Sequence, residues 1–234
     1  MAMEKQPVRY QLDGLWFEAL AVWDPAQDGP RPGVLIAPTF MDRSAFEEDK
    51  AEKLAALGYV GFAMDLYGVE VQPQSFEQAG EAMKVVNEDR VLLARRMTAA
   101  LDQLAALPVV APDRLAAIGF CLGGKAVLDL ARTGRALRGV ASLHGIFDPP
   151  PQPVAATIAA KVLALHGWDD NLAPPEAVVA LARELTEKQA EWELVAYGHT
   201  GHGFTNYNRP DMYRALADTR AWARLTDYLA ELFA

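Results

Sequence analysis

The chain has 234 residues, 51% of them hydrophobic, and a formal net charge of −9. That is long enough to bury a sizeable core, yet no stretch nears the roughly 20 consecutive apolar residues that a membrane-spanning helix needs. The acidic balance argues against nucleic acid and anionic membrane partners, which call for a basic face. A lone cysteine, Cys121, excludes an internal disulfide and fits a reducing, cytoplasmic compartment. Met1 and the six residues after it lack an apolar core and a small-residue cleavage site, so the start does not read as a signal peptide.

In chain order, residues 8–12 and 15–22 flank Asp13-Gly14, a two-residue hairpin signal, so the chain is expected to open with a β-hairpin. Residues 26–33 are rich in Pro and Gly and read as a loop, and 34–37 as a short buried strand. Ser44 and Glu47 form a capping box for a helix that runs to Leu57 and stops at Gly58. A strand over 60–64 gives way to a looser stretch through Gln74, in which 68–74 reads equally as a lid or a surface insertion. Leu93, Met97, Leu101 and Leu104 form a helical stripe within 91–107, ended by Pro108. Residues 115–119 read as a strand and 122–133 as the helix behind it, closed by Gly134. Strands follow over 139–143 and 161–165, separated by the Pro-rich loop 148–153. Pro174-Pro175 opens a helix to about Lys188, because a first turn needs no N–H donor. A last strand over 191–196 and a helix over 211–233, with Leu225, Leu229 and Leu232 on one face, close the chain. The alternation predicts a single α/β domain over residues 1–234, a mostly parallel sheet with helices on both faces.

The chemistry centres on Gly119-Phe120-Cys121-Leu122-Gly123-Gly124, directly after the apolar run 115–118. A Gly-x-nucleophile-x-Gly turn from strand to helix demands small flanking residues, because both pass close to neighbouring backbone. The thiol then lies at a helix N-terminus, whose free N–H groups and dipole favour the thiolate. Taken alone, a single cysteine is more often a small buried hydrophobe. Here an acid and a base follow it. Asp169-Asp170 comes after the strand-like run 161–165, and His199 and His202 come after 194–197. Nucleophile, acid, histidine is the chain order of the α/β-hydrolase triad, and all three would meet at the carboxyl edge of a parallel sheet. His144 and His166 each end a strand before a glycine and read as structural histidines, with His144 also a candidate pocket residue. No histidine or cysteine pair has the spacing of a zinc site, and neither metal nor cofactor is expected.

These pieces, with Asp65-Leu66-Tyr67-Gly68, Gly167-Trp168-Asp169-Asp170 and Gly201-His202-Gly203-Phe204, resemble the dienelactone hydrolase family from about residue 8 to the C-terminus. The resemblance implies an α/β-hydrolase fold, Cys121 as nucleophile, Asp170 as the acid and His202 as the base. It also implies an oxyanion hole from the backbone N–H groups of Leu122 and Phe40. The family spacing selects Asp170 over Asp169, and the glycine setting selects His202 over His199. Thr39 stands where dienelactone-cleaving members carry a glutamate against the resting thiol, which would leave His202 alone to set the state of the thiol. Asn206 stands where they carry an arginine for the substrate carboxylate. Thr39, Tyr67, Trp168, Phe204 and Asn206 are candidate pocket residues, joined by Tyr207; the aromatics among them read equally as core. The expectation is a hydrolase of small esters or lactones working through a thioester. A general carboxylesterase, and a non-catalytic binding or thiol-sensing protein on the same fold, are the alternatives. The sequence gives no oligomeric state.

Overall fold

The computed structural model describes residues 2–152 and 154–234; Met1 and Pro153, the last residue of the expected Pro-rich loop, lie outside the described residues. Among the described residues, eight strands and six helices alternate with mostly parallel pairing, so the fold class is the α/β class that the alternation predicts. Contacts divide the chain into two compact units, residues 1–117 and 118–234.

The first unit opens with the hairpin β1 (Glu4–Leu12) and β2 (Leu15–Trp23). Asp13 and Gly14 both take positive φ, 52° and 81°, the backbone of a tight turn that matches strand twist. The strands of this unit then run β1-β2-β4-β3, where β3 is Arg31–Ala37 and β4 is Val60–Ala63. Every residue of β3 and β4 is buried, which fits the apolar runs over residues 34–37 and 60–63. β3 begins inside the expected loop, at Arg31. The helix α1 (Ala45–Ala56) carries the full capping box: Ser44 accepts from the Phe46 N–H, while the Glu47 carboxylate takes the Ser44 N–H at 3.0 Å.

The structure adds a helix that no sequence signal marked. α2 (Phe76–Glu88) is capped by Ser75 and buries only Ala79 and Val86, too few positions to make a stripe. Asp89 ends α2 and caps α3 (Arg90–Ala105), its carboxylate accepting the Leu92 N–H at 2.8 Å. β5 (Val110–Phe120) starts five residues before the apolar run, because its first turn of chain, Ala111-Pro112-Asp113-Arg114, pairs as strand while leaving polar side chains outward.

In the second unit the end of β5 lies beside β6 (Gly139–Leu143), followed by β7 (Lys161–Gly167) and β8 (Trp192–Tyr197), all in parallel register from β6 to β8. The helices are α4 (Leu122–Arg132), α5 (Pro175–Glu187) and α6 (Ala215–Phe233). α6 starts four residues later than expected, since residues 206–212 are spent in turns. α4 is buried along its whole length and is fixed at its far end by Arg132, which meets Glu184 of α5 through Nε (2.7 Å) and Nη2 (2.6 Å) and Asp129 at 3.0 Å. Among the described residues, no helix is long and apolar enough to cross a membrane.

Two glycine substitutions should move stability in opposite directions. A Cβ on Gly119 would overlap the carbonyl of Gly123, so Gly119→Ala should destabilise the fold by about 3 kcal/mol. Gly80, inside α2, has open space around it, and Gly80→Ala should stabilise by about 0.5–1 kcal/mol. Denaturant titration of both proteins checks the pair, and a neutral Gly119→Ala would mean that the turn can relax.

Candidate active site

The second unit builds its site around the junction of β5 and α4. Cys121 is the N-cap residue of α4 with φ 57° and ψ −112°, a conformation that L residues adopt only under constraint. Two close approaches force it. Besides the Gly119 contact, a Cβ on Gly124 would come within 2.6 Å of the Gly145 Cα, so the first turn of α4 lies directly on the chain leaving β6. The thiol is partly accessible at this apex, and Leu122 behind it is fully buried.

The candidate acid and base lie in the loops that follow β7 and β8. Gly167 lets two loops touch: a Cβ there would meet the carbonyl oxygens of Thr200 at 2.5 Å and Gly201 at 2.6 Å. The Trp168 N–H donates to Tyr197 and the Asp169 N–H to Thr200, both at 2.9 Å, which clips the loops together. Asp170, 1% exposed, then faces His202 with Oδ2 2.8 Å from Nδ1, while its Oδ1 accepts the Leu172 N–H at 2.9 Å. Asp169 and His199 point to solvent.

His202 is largely buried, and Nε2 meets no oxygen or nitrogen partner. Burial opposes its charge, but the Asp170 hydrogen bond and the sulfur of Cys121 outweigh it and push the pKa up to about 10. An Asp-held imidazolium beside a cysteine can stabilise a thiolate, then hand its proton to a leaving group.

His144 proves to be more than a strand-end histidine. It is 1% exposed, with φ 38°, and its ring lies edge-on to those of His202 (centroids 5.3 Å) and Phe204 (5.4 Å). Phe204 is wholly buried between His144 and Tyr197. His166 is a buried core histidine whose pKa burial lowers, stacked near Phe147. Trp168 and Tyr207 are exposed, at 44% and 39%. The side-chain oxygen of Asn206 is engaged in its own turn, accepting the Asn208 N–H at 3.0 Å. Neither His144 nor its partner Thr205 could have been singled out by spacing, since 61 positions separate them.

The first unit holds the remaining candidates. The Thr39 N–H donates to Glu47 at 3.1 Å, so the capping carboxylate of α1 also steadies the loop after β3. That carboxylate is fully enclosed, and burial raises its pKa against the hydrogen bonds it accepts. The Phe40 carbonyl accepts from the hydroxyl of Tyr67 at 2.9 Å, and the Phe40 ring stacks near Phe76. Tyr67 is 2% exposed. Asp65 is a structural pivot: it accepts the N–H groups of Glu18 (3.1 Å), Tyr67 (3.0 Å) and Gly68 (2.6 Å). Its neighbour Asp42 is pushed up to about 7 by burial and by the charge of Asp65. Residues 68–74 form neither helix nor strand.

Comparison with known proteins gives one consistent answer. A Bradyrhizobium protein, whose name calls it a probable 2-oxo-3-(5-oxofuran-2-ylidene)propanoate lactonase, is 28% identical over 216 residues, covering 88% of this chain and 86% of its own. An Escherichia coli K12 protein, whose name proposes a carboxymethylenebutenolidase, is 27% identical over 220 residues, 87% of this chain and 78% of its own. Among solved structures, a dienelactone hydrolase-like promiscuous phosphotriesterase from metagenomic libraries superposes with a TM-score of 0.96 at 32% identity, covering all of both chains. A Klebsiella pneumoniae dienelactone hydrolase homologue, at 23% identity and a TM-score of 0.84, shares the α/β-hydrolase fold. Matched from residue 17 to residue 233 by the family model, the chain belongs to the dienelactone hydrolase family.

Proposed function

We propose that the protein is a cysteine hydrolase of small carboxylic esters or lactones, with Cys121, His202 and Asp170 as its triad. The observation that carries this reading is the buried Asp170–His202 contact at 2.8 Å, in which the ring is held protonated to about pH 10 in the field of Cys121. In the first step the sulfur attacks the carbonyl carbon, an S–C bond forms, and the carbonyl electron pair moves to oxygen. The Leu122 amide, at the start of α4, receives that oxyanion. The oxyanion collapses, the C–O bond to the alcohol breaks, and the Nε2 proton of His202 passes to the departing alkoxide. A neutral His202 then takes a proton from water as it attacks the thioester, and thiolate and imidazolium are restored with release of the acid. Asp170 holds the ring in one tautomer and stabilises it when charged.

The substrate class is supported by the relatives named for lactone cleavage. A single cysteine and the acidic net charge support a cytoplasmic enzyme whose partner is this small substrate rather than nucleic acid or membrane. Phosphotriesters form a second substrate class, favoured by the full-length likeness to a phosphotriesterase.

Three lactone or ester probes and one phosphotriester, assayed with wild type and Cys121→Ala, test the reading. Wild type should hydrolyse short p-nitrophenyl esters and accumulate an acyl adduct detectable by intact mass, and Cys121→Ala should show neither. Undiminished turnover in Cys121→Ala would sink the triad. Asp170→Asn should lower kcat at least about a hundredfold, whereas Asp169→Asn and His199→Ala should change it by less than about threefold.

The raised pKa of His202 carries a stability consequence. Because the folded value of about 10 lies above the ordinary 6.5, the charged contact with Asp170 contributes in full below about 6.5 and is lost as pH rises through 10. The stability gap between wild type and Asp170→Asn should therefore narrow across that window. Histidine NMR should show His202 titrating several units lower in Asp170→Asn, and an identical midpoint in the two proteins would contradict the contact.

A further inference from the structure

We propose that His144, backed by Thr205, is a positioning residue that holds the backbone amide of Cys121 and so fixes the nucleophile; the role rests on the cysteine hydrolase reading. The Cys121 N–H is shared between two acceptors, the Leu143 carbonyl at 3.1 Å and Nδ1 of His144 at 3.2 Å. A strand-end amide needs only the carbonyl. The ring nitrogen is a second hold on a residue whose positive φ would otherwise relax. His144 is itself anchored, since its N–H donates to Leu165 at 2.8 Å while its own φ lies in the left-handed region.

The tautomer follows from the partners. Nδ1 can accept an N–H only through its lone pair, so the neutral ring carries its proton on Nε2. That proton points at Thr205 Oγ1, 2.8 Å away, in a side chain 1% exposed. The Cys121 N–H selects that tautomer, and the Thr205 hydroxyl then accepts the Nε2 proton. With the proton on Nδ1, two N–H groups would face each other at the nucleophile. The same ring lies edge-on to His202, so one neutral imidazole supports both the cysteine backbone and the base. The competing role for His144 is mere space filling among Phe120, Phe204 and His202, which would need no particular protonation.

Thr205→Val keeps the shape and removes the acceptor. In wild type near neutral pH, nitrogen-15 NMR should find His144 protonated at Nε2 alone. In Thr205→Val the buried Nε2–H loses its acceptor, so the ring should leave its place at the Cys121 N–H and kcat should fall about tenfold with KM within about twofold, while Thr205→Ser restores kcat. If Thr205→Val fails to fold, His144→Asn against His144→Leu carries the test. The Asn side-chain oxygen can stand in for Nδ1 and Asn tolerates a left-handed backbone, so it should keep clearly more kcat than Leu. A wild-type ring protonated on Nδ1, an unchanged kcat in Thr205→Val, or equal loss in Asn and Leu overturns the proposal. Cys121→Ala assayed alongside separates the two failures. Retained hydrolysis there refutes the hydrolase reading, whereas a dead Cys121→Ala with wild-type kcat in Thr205→Val refutes only the positioning role.

Discussion

The backbone of Cys121 is the constraint on which the second unit turns. A strand that must become a helix within one residue has no conventional backbone solution, so φ goes to 57° and the neighbours must hold it there. The surrounding sequence is arranged for that single point. Gly119 and Gly124 remove the Cβ atoms that would collide with Gly123 and Gly145, and the carbonyl of Leu143 takes the Cys121 N–H. At the other end of the helix, Arg132 is gripped by Glu184 and Asp129, which keeps α4 from sliding away from the strained turn. Strain at the thiol is thus balanced by packing and charge at a distance of three helical turns.

Buried charge is handled differently in the two units. In the second, charges come as opposites: Arg132 with its carboxylates, and His202 with Asp170. The Lys125 ammonium, 3% exposed, meets Asp148 at 2.7 Å. In the first unit, carboxylates are enclosed together. Asp42 and Asp65 lie in the field of the Arg96 guanidinium and accept backbone N–H groups, and Glu47 accepts those of Ser44 and Thr39. Pairs of the first kind are costly to break one partner at a time, because the survivor stays buried and charged. Clusters of the second kind stitch loops to one another, and here they hold the turns that follow β3 and β4.

Local signals in the chain were legible where one short segment suffices to express them. The Asp13-Gly14 turn, the Ser44–Glu47 box, the Pro175 helix start and the glycine frame of the elbow all appear where the sequence places them, within a residue or two. Misplaced boundaries have a common origin. β5 starts ahead of the polar pair Asp113-Arg114 and α6 starts after turns, so the apolar pattern lags or leads the hydrogen bonding. α2 went unseen because two buried residues and two caps are enough for a helix lying on a surface, and neither produces a periodic stripe.

By itself, then, the sequence determined the α/β class, the turn that carries Cys121 and the segments that carry Asp170 and His202, because propensity, capping and close-approach glycines act over a few neighbouring residues. Which partners meet was decided by tertiary structure. Asp169 and Asp170 are adjacent and chemically identical, and only the clip between the loops after β7 and β8 turns Asp170 inward to His202 while Asp169 faces water. The tie from Thr205 through His144 to Cys121 joins a turn beyond β8 to the ends of β6 and β5, which lie far apart in the chain. Such contacts depend on strand order and register, which no local pattern encodes, and they are realised only when the sheet has brought those ends to one edge.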